Sequence, residues 1–244
     1  MSLEPATREG DLGDAWGDDE IDALLPDALR ARSRVFWTPV HVARRVAQIL
    51  NGLGCRRVLD VGCGPGKLAV VAAQLCPILS IHGVDHRPHL VTAARVLASR
   101  LGVANVSFEL GDATQVAWTG FEAFYAFNPF AENDFSATER LDDTVPLSRA
   151  HRVHDLLRAA QQLDTVDRGA VLVTYHGLGG PIPSTWECLH TEAIGSGWVR
   201  VWYKARVGPI ELYWMEHDDR LEWLTPRDLG HALGRQLDPR TANR

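Results

Sequence analysis

The order of hydrophobic patterns along this chain predicts an α/β fold. The expected form is a doubly wound, mostly parallel sheet in a three-layer α/β/α sandwich, ending in a C-terminal antiparallel hairpin. Three observations carry this expectation. Short apolar runs alternate with helix-period stripes; a glycine-rich turn joins the first run to the next stripe; and the last two runs are separated by a short Gly-Pro turn.

The elements follow in order. Residues 1 to about 30 form an acidic, Gly-rich arm with Asp11, Asp14, Asp18, Asp19 and Glu20 and one short amphipathic piece around Ile21 to Leu29. Such a stretch is a poor basis for a core and reads as a solvated tail, or as a flap that orders over a ligand. The main domain is expected over 31–217, with a polar tail at 218–244. Thr38-Pro39 suits a helix start, with Thr as N-cap and Pro at the first helical position. Val42, Val46, Ile49 and Leu53 then share one helical face. Val58 to Val61 reads as a buried strand. A helix striped by Leu68, Val71, Ala72 and Leu75 stops at Pro77.

Leu79 to Val84 is the second strand. Pro88 opens a helix carrying Leu90, Ala94, Leu97 and Leu101, which Gly102 closes. Val106 to Leu110 and Ala123 to Phe127 are the third and fourth strands, with Trp118 between them. Residues 131 to 146 form a loop. Val153, Leu156, Ala160 and Leu163 mark a further helix before strand Ala170 to Tyr175. Trp198 to Lys204 and Ile210 to Met215, joined through Gly208-Pro209, form the expected hairpin.

Composition narrows the function. With 244 residues, 45% hydrophobic and 23% charged, the chain can bury a proper core. A formal net charge of -6 gives no long-range attraction to phosphate backbones, so nucleic acid is disfavoured as a partner. Cys55, Cys63, Cys76 and Cys188 form no CxxC pair and read as reduced thiols. With no signal-peptide pattern and no apolar run long enough to span a bilayer, the expectation is a cytoplasmic protein without a membrane partner. Sequence does not set the oligomeric state.

The chemistry concentrates in Val58-Leu59-Asp60-Val61-Gly62-Cys63-Gly64-Pro65-Gly66, a strand ending in an acid, a GxGxG turn and a helix start. A dinucleotide site wants GxGxxG, but Lys67 stands at the last glycine's position. A P-loop wants GxxxxGK followed by Ser or Thr; here three residues separate Gly62 from Gly66, and Leu68 follows Lys67. Asp60 opposes both, because a carboxylate beside the loop repels a polyphosphate. A ligand with cationic groups and no phosphate suits the acid.

The segment resembles motif I of the class I, seven-strand S-adenosylmethionine-dependent methyltransferases, and the likeness extends over roughly residues 36 to 215. It implies S-adenosylmethionine as cofactor, held by Asp60 and by Gly62, Cys63, Gly64 and Gly66 of the turn. Asp85 and His86 end the second strand, where the resemblance implies a ribose contact. Asp112 and Ala113 follow the third, where it implies contact with adenine. The helix start at Thr38 resembles one that shelters the methionine end in some family members, and Trp37 could pack over the sulfonium or simply join the core.

The fourth strand ends in Phe127-Asn128-Pro129-Phe130, similar to the Asn-Pro-Pro-aromatic motif of enzymes that methylate planar amino groups, with Phe130 where the second proline stands. Asn128 is thus a candidate for both cofactor binding and catalysis, or a turn residue. His176, before Gly177-Leu178-Gly179-Gly180, is the candidate acceptor-side base. The pairs His86/His89 and His151/His154 have a spacing that can share a helix face, but lack a nearby Cys or acidic set, so no metal is expected. The aromatic-rich end (Trp186, Trp198, Trp202, Tyr203, Tyr213, Trp214) caps the sheet or lines a pocket or dimer face.

Methyl transfer to a small molecule is the first functional expectation. Methylation of an amino or amide nitrogen in protein or nucleic acid is the second, and a non-catalytic cofactor-binding partner protein the third.

Overall fold

A computed structural model of the chain describes residues 16–207 and the backbone of Leu212 and Tyr213. One seven-stranded sheet dominates it, in the order β3-β2-β1-β4-β5-β8-β7. The first five strands in chain order are β1 (Arg57–Val61), β2 (Ser80–Asp85), β3 (Val106–Leu110), β4 (Ala123–Phe127) and β5 (Val171–Tyr175). All five are parallel. In β4 the first four residues are buried and in β5 all five, as expected where helices cover both faces.

Successive side chains of these strands enter two separate cores, the period-2 alternation of a pleated strand. Val58, Ile81, Ala123, Tyr125, Val171 and Val173 join one cluster with α4 (Val40–Gly52), α5 (Lys67–Leu75) and α6 (Pro88–Arg100). Leu59, Val61, Val84, Phe124, Ala126 and Leu172 join the other with Leu156 and Leu163 of α7 (Arg149–Thr165) and with Trp118. Chain order reverses between β1 and β4, which makes the crevice beyond their carboxyl ends the natural ligand position.

The hairpin differs from the sequence expectation. Strand β8 (Gly197–Lys204) pairs antiparallel with β5 on one side and with the preceding β7 (Trp186–Ile194) on the other. The hairpin turn is therefore Gly195-Ser196. Of the expected strand Ile210 to Met215, only Leu212–Tyr213 is described (β9), and it pairs with β6 (Ile182–Pro183) in a separate two-stranded sheet. Gly208-Pro209 and the tail from 218 lie outside the described residues.

The acidic stretch is not simply solvated. From Trp16 on it forms α1 (Asp18–Asp22), α2 (Asp27–Arg30) and α3 (Ser33–Phe36), and Ile21, Leu25 and Leu29 sit in the first core. Its acids have an internal partner. The Lys67 ammonium, 2% exposed, lies 2.6 Å from Asp18 and 2.7 Å from Asp22 and donates to Ser33 Oγ at 3.1 Å. Asp18 also accepts from Val40 N at 2.9 Å, taking the capping role expected of Thr38. The N-cap of α4 is Pro39, and the Thr38 hydroxyl is 2.9 Å from the Tyr125 hydroxyl.

Candidate cofactor and acceptor site

The turn after β1 is shaped by three left-handed glycines, Gly62, Gly64 and Gly66, with φ of 74°, 55° and 78°. Other residues pay a steric penalty there. Gly62 N and Cys63 N both donate to Val84 O at 3.0 Å, pinning the turn to the neighbouring strand. The space above Gly64 is limited: a Cβ there would lie 2.9 Å from the Trp37 ring. Asp85 closes the arrangement. Its Oδ2 accepts from Gly64 N at 3.0 Å and its Oδ1 from Arg87 N at 2.9 Å, so the carboxylate is fixed at the strand end with lone pairs to spare.

These groups border a cavity of about 560 Å³, within the range of small-ligand sites. Gly62, Gly64, Asp85, His86, Asp112 and Ala113 line one side, and Asn128 and His176 line it from the ends of β4 and β5. A small recess of about 30 Å³ shares Phe36, Trp37, Gly62 and Phe127 with the cavity and is also lined by Thr38, Asp60, Cys63 and Tyr125. Gly66 borders neither. A Cβ on it would meet Phe108 and Ala94 instead, so its work is to start α5 and let helix and sheet approach.

Asp60 is 3% exposed and its Oδ2 has no hydrogen-bond partner. Burial, and then the nearby Asp85 charge, push its carboxyl up to about 8. An uncompensated acid of this kind suits a cation. Asp112 behaves differently. Its Oδ1 accepts from Thr114 N and Oγ1 and its Oδ2 from Gln115, so the carboxylate is spent largely on its own turn. Burial raises its pKa, but these bonds and Arg158 outweigh that and hold it below the usual range.

Asn128 and His176 are the two non-glycine residues with left-handed backbone among those described, φ 38° and 54°. Conformations of this kind cluster at functional sites because surrounding structure must hold them. Asn128 N donates to Gly177 O at 3.0 Å, tying the two strand ends together, and its buried Oδ1 lacks a partner. The His176 ring stacks on Phe127 at 5.5 Å and packs so closely on Gly197 that a Cβ there would run into it. Burial lowers its pKa, which favours the neutral imidazole a base needs.

Asp155 escaped the sequence reading, which weighed His151 only as half of a metal pair. Asp155 and His151 lie one turn apart on α7, and both line the cavity. Burial, followed by the Asp112 charge, raises the Asp155 carboxyl to about 6. The i, i+4 spacing was the available signal. Of the histidine pairs, His86 and His151 line the cavity and His89 and His154 do not. No group of three or more metal-ligand side chains occurs among the described residues, and no helix among them is long and apolar enough to cross a membrane.

Parts of this sequence and its fold are shared with known proteins. A family model described as a methyltransferase domain matches residues 55–144. The aklanonic acid methyltransferase DauC of Streptomyces sp. (strain C5) is 35% identical over 79 residues, 32% of this chain and 35% of that protein. A protein-L-isoaspartate O-methyltransferase of Magnetococcus marinus is 33% identical over 102 residues, covering 42% and 40%. A tRNA (guanine(10)-N2)-dimethyltransferase of Pyrococcus abyssi is 26% identical over 176 residues, covering 69% and 47%. The chain thus spans less than half the length of each. An RNA methyltransferase from Salinibacter ruber, solved with S-adenosyl-L-homocysteine, shares the fold at TM-score 0.51 and 19% identity, over 72% of this chain and 98% of that one.

Residues 55–144 thus match a methyltransferase domain, and the sheet has the fold of a methyltransferase solved with S-adenosyl-L-homocysteine. The relatives' names span small-molecule, protein and RNA methylation, so they lend no support to the charge argument against nucleic acid.

Proposed function

We propose that this protein transfers the methyl group of S-adenosylmethionine to a small-molecule acceptor held between Asn128 and His176. The observation that carries the proposal is the shared cavity: the glycine turn and Asp85 border it from one half of the sheet, and Asn128 and His176 from the other. The residues fit the cofactor. Asp60 offers an uncompensated acid to a cationic amino-acid end, the turn leaves backbone accessible, and Asp85 presents a fixed carboxylate to ribose hydroxyls.

When bound, S-adenosylmethionine supplies an electrophilic methyl carbon, so no side chain need form a covalent bond. Asn128 orients the acceptor through its amide, and His176 takes the acceptor proton where one must leave. Phe127, Phe130 and Phe135, which also line the cavity, exclude water around the reacting atoms. Holding two reactants in line can lower the barrier by about 7–11 kcal/mol, which is most of what this chemistry asks of a protein.

A second reading, a nitrogen in RNA as acceptor, draws on Asn128-Pro129-Phe130 and on the Pyrococcus relative, whose match is the longest of the three sequence relatives above.

Calorimetric titration with S-adenosylmethionine, S-adenosylhomocysteine and NAD tests the cofactor. The first two are expected to bind and NAD to give no heat; the reverse would sink the proposal. Asp85→Ala is expected to weaken cofactor binding by about 1.5–3 kcal/mol, the range for hydrogen bonds to a charged group. An unchanged affinity in a folded variant removes Asp85 from the site.

A further inference from the structure

The stretch between β4 and α7 roofs the cavity. Ala131–Asp134 forms a 3₁₀ turn, and Glu132, Asn133, Phe135, Leu141, Pro146 and Leu147 from this stretch line the space beneath. Its turns are held by hydrogen bonds within the stretch, among them Phe135 N to Glu132 O and Arg140 Nε to Phe135 O, both at 3.1 Å, and tethers from elsewhere fix it over the cavity.

Arg32 at Arg140 O, His89 at Asp142 and Arg152 at Asp134 are such tethers, and the most buried is Arg87, 4% exposed, two residues beyond Asp85. Its guanidinium meets the roof at two acids. Nη1 lies 3.0 Å from Glu132 Oε2, Nη2 donates to Glu132 Oε1 at 3.0 Å, and Nε donates to Asp142 Oδ1 at 3.0 Å. The fork is therefore largely filled by carboxylates, the geometry for which arginine and not lysine is suited. Glu132 Oε1 also accepts from Leu141 N at 2.7 Å, so the two ends of the roof are closed on the same ion pair.

The other end of Arg87 reaches the cofactor side. Its backbone N donates to Asp85 Oδ1 at 2.9 Å, and Nη1 is 3.2 Å from His86 Nε2. One buried residue thus contacts Asp85, His86, Glu132 and Asp142. Whatever moves the Asp85 carboxylate moves the backbone that aims the guanidinium, and whatever frees the guanidinium loosens the roof.

We propose that Arg87 is a positioning residue that couples occupancy of the cofactor edge to closure of the 131–147 roof over the acceptor. The inference rests on the cofactor reading given above. Coupling of this kind is reciprocal: by whatever factor closure of the roof favours the cofactor, the bound cofactor favours closure of the roof. The cavity then becomes a complete acceptor site chiefly when Asp85 is engaged, a safeguard against admitting acceptor or water first.

Hydrogen exchange of the roof amides and calorimetry with S-adenosylhomocysteine test this in the full chain. In the unmodified protein, S-adenosylhomocysteine is expected to slow exchange over 131–142 at least tenfold. Glu132→Gln weakens the roof end of the tether without contacting Asp85 or His86, and is expected to raise the S-adenosylhomocysteine Kd several-fold and to shrink the ligand-induced protection. Arg87→Gln is expected to speed roof exchange before any ligand is added, and Arg87→Lys to recover only part of it. Normal roof protection in folded Arg87→Gln, or an unchanged Kd for folded Glu132→Gln, overturns the coupling. If the unmodified protein fails to bind S-adenosylhomocysteine, the cofactor reading falls and takes the coupling with it. Fast exchange in ligand-free Arg87→Gln would then report only the tether.

Discussion

Asp60 shows how much one side chain can set in this fold. Its folded pKa of about 8 lies far above the ordinary 3.8, because burial and Asp85 both oppose its charge. Below pH 4 the carboxyl is protonated whether the chain is folded or not. As pH rises from about 4 to 8 the unfolded chain loses the proton while the folded chain keeps it, so folding stability falls across that window. Asp60→Asn removes this dependence. It is expected to gain on the unmodified protein progressively from pH 4 to 8, by on the order of 2–5 kcal/mol at the upper end. Urea unfolding at a series of pH values measures it, and a constant difference between the proteins would refute it. Legibility at this scale was uneven. Asp60 and Asp85 stood out because each ends a buried strand beside a glycine-rich turn or helix start. Nothing local told that Asp112 turns onto Thr114 and Gln115, or that Arg87 reaches Glu132 across 45 residues.

Among the elements, the N-terminal helices pose the sharpest contrast between pattern and outcome. Five-, four- and four-residue helices are too short to hold themselves, and the sequence offered mainly acids. They form because Ile21, Leu25 and Leu29 enter the core and because Lys67 needs Asp18 and Asp22. Lys67→Met leaves Asp22 buried without its cation and is expected to cost about 3 kcal/mol of stability. Adding Asp22→Leu is expected to return part of that loss. Equal urea midpoints for the unmodified protein and Lys67→Met would show the pair to be idle. The hairpin misreading has a similar origin. Strand β7 is an edge strand with Glu187, Cys188, Leu189 and Thr191 exposed and a register shift between Cys188 and His190, so neither apolar run nor clean alternation marks it. The Gly208-Pro209 pair is the louder turn signal, and it points at the wrong partner. The parallel core, by contrast, was readable from continuous apolar runs that only a sheet covered on both faces can bury.

For the molecule as a whole, the two cores share the central sheet, and the cavity opens at its carboxyl edge between them. A ligand seated there bridges β1, β2, β4 and β5, so its binding energy is expected to appear in the unfolding of the entire domain. S-adenosylhomocysteine at one hundred times its Kd would add about 2.7 kcal/mol. For a chain of this size that corresponds to roughly 5–10 °C in Tm. A calorimetric scan is expected to show one transition moving by this amount, with NAD leaving it in place. A ligand-insensitive main transition would place the binding site outside the cooperative unit.

The strand order also has a genetic meaning. In the proposed function the cofactor edge is written in residues 60–113, whereas the acceptor edge is written later, from Asn128 through the roof and His176 to Ser196 at the hairpin turn. The family match, residues 55–144, contains all of the first stretch and only the beginning of the second. Because the sheet folds two consecutive pieces of gene onto opposite walls of one cavity, descent can rewrite the acceptor wall while the donor wall is copied unchanged. The relatives named above are called methyltransferases of aklanonic acid, of protein L-isoaspartate and of a tRNA guanine.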